Sequence, residues 1–104
     1  MRKVALITDG WRRLFTYAWP AGILQRIQET GEDVNLYIFN STGNWSRDAG
    51  YNRAEYNIYN LPELSDFDGI ILELNNISSS AVLAEVISNA KRSGRPVVSI
   101  ANEL

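Results

Sequence analysis

Asp9, Trp11, Asn40, Trp45, Asn75, Asn76 and Asn102 are the residues of this chain best suited to chemistry, and that chemistry is recognition. A carboxylate and several carboxamides offer paired hydrogen bonds to hydroxyl groups. Tryptophan rings can pack against the apolar face of a sugar ring. Four short segments hold most of these groups: Asp9-Gly10-Trp11, Asn40-Ser41, Glu73 with Asn75 and Asn76, and Ala101-Asn102. Phe15, Tyr17 and Trp19 add aromatic surface in neighbouring stretches. Each residue also has a plainer reading. Asp9 before Gly10 could simply make a turn, Trp11 could cover the core, and Trp45 could be a loop tip. Asn75 and Asn76 could only turn the chain out of a strand, and Glu73 could be a buried, paired acid. Phe15 and Trp19 fit the core face of a helix.

The chain of 104 residues holds neither cysteine nor histidine. Disulfides, thiolate metal ligands and a cysteine nucleophile are therefore excluded. So are imidazole metal ligands and the Ser-His-Asp triad. No glycine-rich dinucleotide fingerprint or P-loop is present. The sequence thus predicts a protein that is not an enzyme and that uses no cofactor and no metal. Net charge is −2, and the basic pairs Arg12-Arg13 and Lys91-Arg92 are isolated, so there is no electrostatic footprint for nucleic acid or an anionic membrane. The apolar run Val4–Ile7 is too short for a signal core or a membrane span, so cytoplasm is the expected compartment.

These residues need elements to position them. Lys3–Thr8 reads as a buried strand closed by Asp9-Gly10. Phe15–Thr30 has helical spacing, with the regular part beginning near Trp19 because of Pro20, and Gly31 ends it. Val34–Phe39 is β-branched and aromatic, a second strand, followed by a polar loop over Asn40–Asn52 and a short helix over Arg53–Tyr59. Gly69–Leu74 is a third strand. Ser78, Ser79 and Ser80 offer caps for a helix that presents Val82, Leu83, Val86, Ile87 and Ala90 on one face and ends at Gly94. Pro96–Ile100 is a fourth strand. Alternating strands and helices predict an α/β protein of three α/β/α layers with a parallel sheet, and right-handed crossovers give the order 2-1-3-4. In such a sheet ligands lie beyond the carboxyl ends of the strands, where the four polar segments fall.

Three motifs carry a family resemblance: Gly22-Ile23 with Gly31 nine residues on, Asp68-Gly69-Ile70-Ile71-Leu72, and Gly94-Arg95-Pro96-Val97-Val98. In order and spacing they resemble the regulatory domain of LacI/GalR-type proteins, a type I periplasmic-binding-protein-like fold, and they span nearly the whole chain. The resemblance implies a single domain over 1–104 that is the N-terminal lobe, and a truncated one, of a two-lobe ligand-binding domain. It also implies that Asp9, Trp11, Asn40, Trp45, Asn75, Asn76 and Asn102 line the cleft between the lobes. Two features depart from the family: Met1 abuts the first strand where the repressors carry a helix-turn-helix, and the loop after strand two is long. The expected function is a non-catalytic, small-molecule (sugar-like) sensing lobe of a transcriptional regulator or signalling protein, without direct nucleic-acid or membrane contact. The alternative is a receiver-like phosphoacceptor domain, in which Asp9 and Glu73 would hold Mg²⁺. An uncovered fourth strand, and the family's own dimers, predict a homodimer.

Overall fold

The computed structural model describes residues 1–9, 14–41, 47–75, 77 and 79–100. Its elements, in chain order, are β1 (Arg2–Asp9), α1 (Leu14–Thr30), β2 (Val34–Ser41), α2 (Ala49–Glu55), β3 (Gly69–Glu73), α3 (Ser80–Arg92) and β4 (Val97–Ser99). Two short 3-10 segments, Tyr56–Asn60 and Leu64–Asp66, bridge α2 and β3. All strand pairs are parallel and the order is β2-β1-β3-β4, the fold class and order the sequence predicts. The chain steps from β1 to β2 in one direction and from β2 through β3 to β4 in the other. Right-handed crossovers then place α1 on one face of the sheet and α2 and α3 on the other.

Strand register explains where the core sits. Ala5 and Ile7 pair with Ile70 and Leu72, and with Tyr37 and Phe39 on the other side. These odd positions of β1 face the layer built from Tyr56, Tyr59, Leu64, Phe67, Val86 and Ala90, which together form the main hydrophobic cluster. Phe67 is set edge-on to both Tyr37 and Phe39, at centroid distances of 5.4 and 6.0 Å. The even positions, Leu6 and Thr8, face α1 and are also fully buried. β1 and β3 are therefore covered on both faces, which is why they read as nearly continuous apolar runs.

Several boundaries differ from expectation for identifiable reasons. β2 continues through Asn40 and Ser41, which the sequence places in a loop, because both extend the ladder with Thr8 and Asp9. α1 starts at Leu14, so Pro20 lies inside the helix rather than at its opening turn, and one helical hydrogen bond is lost there. The short helix begins at Ala49, earlier than Arg53, because the Asp48 carboxylate accepts from the N–H groups of Gly50 and Tyr51 (2.9 and 3.2 Å); this is an N-cap. The remainder of the expected helix is the 3-10 segment Tyr56–Asn60. α3 is capped by Ser79, whose hydroxyl accepts from Val82 N–H at 3.3 Å. Gly31 and Gly94 follow α1 and α3 at φ of +69° and +73°, the left-handed region a helix stop favours.

Candidate ligand rim at the carboxyl edge of the sheet

Parallel register brings the ends of β1, β2 and β3 level. Asn40, Thr8 and Glu73 form one row across β2, β1 and β3, on the α1 face. One residue further, Ser41 and Asp9 form a second row on the opposite face. Thr8, Asp9, Ser41 and Glu73 are all buried, the polar members, among the described residues, of an otherwise apolar interior. A buried carboxylate is costly unless it is hydrogen-bonded, and here both acids are. The Thr8 hydroxyl donates to Glu73 Oε2 at 2.8 Å, and the Asn75 N–H donates to Oε1 at 3.3 Å. The Ser41 hydroxyl donates to Asp9 Oδ1.

Tyr59 ties the second row to the layer above it. Its hydroxyl donates to the Thr8 carbonyl at 2.6 Å, and its ring stacks on Tyr56 at 5.9 Å. Burial raises the phenol above its ordinary value of 10; the nearby Asp9 carboxylate and Tyr56 act in the same direction, and hydrogen bonding with Ser41 partly offsets them. Tyr59 is therefore a neutral hydrogen-bond donor that fixes the end of β1. At the strand ends the Asn40 Oδ1 and the Ser99 Oγ are both buried and have no hydrogen-bond partner among the described residues. Leaving such an acceptor unpaired costs about 1–3 kcal/mol.

Of the residues singled out in the sequence, Asp9, Asn40 and Asn75 come together along this edge, with Asn75 exposed and the other two at or beneath the surface. Asn40 is a strand residue rather than a loop residue. Trp11, Trp45, Asn76 and Asn102 lie outside the described residues. Glu73, noted in the sequence as a possible paired acid, is held by Thr8 and Asn75. Ser41, noted only as the neighbour of Asn40, binds Asp9. Thr8 and Tyr59 carry no signal that marks them before folding. Thr8 reads as the last residue of an apolar run, and Tyr59 lies 51 positions from the carbonyl it holds.

Register sets Glu73 on the face opposite Asp9, so the two acids do not converge. Among the described residues no group of three or more metal-ligating side chains occurs, and no helix is long and apolar enough to cross a membrane. A groove of about 420 Å³ opens beside the rim between α2 and α3, lined by Asn52, Arg53, Tyr56, Ser79, Val82 and Glu85. The rim and this groove meet at the Tyr56–Tyr59 stack. The chain matches no family model and no curated protein.

Proposed function

We propose that this chain is the N-terminal lobe of a ligand-sensing domain akin to those of LacI/GalR-type regulators, and that it takes a hydroxyl-rich, sugar-like small molecule at the carboxyl edge of its sheet. The observation that carries this reading is the buried Asn40 Oδ1, which has no hydrogen-bond partner among the described residues and stands in the same row as Thr8 and Glu73. Asn40 lies on β2, one strand removed from the crevice between β1 and β3 where the crossovers change direction, the position open α/β sheets use for ligands; Thr8 and Glu73 of the same row flank that crevice. A ligand hydroxyl donating to Asn40 would remove the cost of that orphan acceptor. The exposed Asn75 offers a second polar contact, and Asp9, held by Ser41, contributes fixed negative charge at the rim. The ligand would bridge to a second lobe, and closure of the two lobes would shift the equilibrium of an attached output module in a transcriptional regulator or signalling protein. The role of this lobe is to bind and orient, without bond-making.

A half-site binds weakly by itself, so the test is a heteronuclear NMR titration of the chain with a panel of pentoses, hexoses and nucleosides at millimolar concentrations. The expected result is saturable shifts of the Asn40 side-chain amide and the Asn75 backbone amide for one ligand class, abolished in Asn40→Ala. Absence of rim shifts with every ligand would end the proposal. Micromolar binding by this chain alone would also contradict it, because a site that tight has no missing half.

A further inference from the structure

A second cavity lies at the other end of the sheet from the rim. α3 starts at the carboxyl edge with its cap Ser79 and runs back, so its last turn sits at the amino edge, just ahead of β4. There it faces the 3-10 connector that leads into β3, and the two bound an open cavity of about 390 Å³. That volume is at the small end of ligand pockets, which run from roughly 300 to 1,000 Å³. The buried Tyr59 and Leu64 give the cavity an apolar side. Both walls are pinned. The Arg95 Nε donates to the Ser65 carbonyl at 2.9 Å, which ties the connector to the chain just beyond α3. The N–H groups of Asp66 and Phe67 donate to the Glu63 and Leu64 carbonyls at 3.0 and 3.1 Å, which holds the connector in its turn.

Charge marks this cavity. Glu63 stands on the connector wall, where its Oε1 accepts from the Ser65 hydroxyl at 2.9 Å. Arg92 stands on the α3 wall, where one terminal nitrogen donates to the Asn89 Oδ1. Among the described residues neither takes part in an ion pair. A carboxylate and a guanidinium thus line one cavity without neutralising each other. We propose that the cavity binds a free α-amino acid with an apolar side chain. Its carboxylate is held by Arg92, its ammonium by Glu63, and its side chain packs on Tyr59 and Leu64. A simple anion would be repelled by Glu63 and a simple cation by Arg92. A neutral polyol would cover both charges and supply no countercharge to either, which is costly. A small zwitterion answers both, and the planar guanidinium suits a carboxylate in particular because it can donate two parallel hydrogen bonds. This inference does not depend on the ligand reading of the rim.

The test is a heteronuclear NMR titration of the intact chain with L-phenylalanine at millimolar concentrations. The expected result is saturable shifts of the Asn89 side-chain amide and the Ser65 backbone amide. N-acetyl-L-phenylalanine lacks the ammonium and L-phenylalanine amide lacks the carboxylate; each should bind at least tenfold more weakly. Glu63→Gln and Arg92→Gln should each weaken L-phenylalanine binding by the same factor. Both side chains belong to exposed residues, so the variants are expected to fold, which circular dichroism checks; should one not fold, the two derivatives decide. The proposal is overturned if no saturable shift appears at Asn89 and Ser65, if either derivative binds as tightly as L-phenylalanine, or if a folded variant binds as tightly as the intact chain. The rim is read at Asn40 and Asn75 with sugars and nucleosides, so failure of one site is distinguishable from failure of the other.

Discussion

Replacing Tyr59 by Phe tests the physical account of the rim directly. The substitution keeps the ring, its stack on Tyr56 and its burial, and removes only the hydroxyl that donates to the Thr8 carbonyl at 2.6 Å. A buried hydrogen bond contributes about 1 kcal/mol net, and an acceptor left without its donor costs somewhat more, so the expected loss at neutral pH is about 1–2 kcal/mol. For a domain of this size each kcal/mol moves Tm by roughly 4–8 °C, an effect that thermal denaturation followed by circular dichroism resolves easily. A second readout comes from pH. The folded protein holds the Tyr59 proton to higher pH than the unfolded chain does, because burial raises the phenol. The stability this contributes is complete below the ordinary value near 10. Above it, the unfolded chain ionises first and stability falls by about 1.4 kcal/mol per pH unit until the folded value is passed. Urea denaturation between neutral pH and pH 11 should therefore give a steeper alkaline decline for the intact chain than for Tyr59→Phe, by about one proton. Equal slopes, together with unchanged stability at pH 7, would refute the assignment of Tyr59 as the buried donor that fixes the end of β1.

Other changes follow from the same structure. Thr8→Val removes the hydroxyl that donates to Glu73 and leaves a buried carboxylate less satisfied; a loss of about 2 kcal/mol is expected, and Glu73→Gln in the Thr8→Val background should recover part of it in the same denaturation assay. Ser79→Ala deletes the cap of α3 and should cost about 1 kcal/mol, whereas Ser79→Asp should retain stability. Gly94→Val forces a β-branched side chain to φ of +73° and should cost more than 1 kcal/mol, measured as a shift in the urea midpoint with an unchanged m-value. Leu72→Ala empties a fully buried position between β1 and β4 and should cost about 2–5 kcal/mol.

Much of the architecture follows from local pattern. The apolar runs of β1 and β3, the glycines at 31 and 94, and the alternation of strand and helix are properties of consecutive residues, and with the handedness of crossovers they determine a parallel sheet in the order observed. The same chain order places Asp9, Asn40 and Asn75 at one edge, because every strand of a parallel sheet ends on the same side. Folding decided what depends on distant residues. Asn40 and Ser41 lack the composition of a strand, yet they extend β2 because Thr8 and Asp9 supply a ladder for them. Tyr59 has no local reason to be a rim residue; it becomes one when the crossover after α2 carries its hydroxyl to the Thr8 carbonyl. The separation of Asp9 from Glu73 onto opposite faces is likewise a matter of register, since a single residue of offset exchanges every side chain between the faces of a sheet. Sequence alone thus determined that Asp9, Asn40 and Asn75 reach the carboxyl edge, whereas tertiary pairing brought Tyr59 to them and decided which groups are buried, which hold one another, and that the Asn40 Oδ1 has no partner among the described residues.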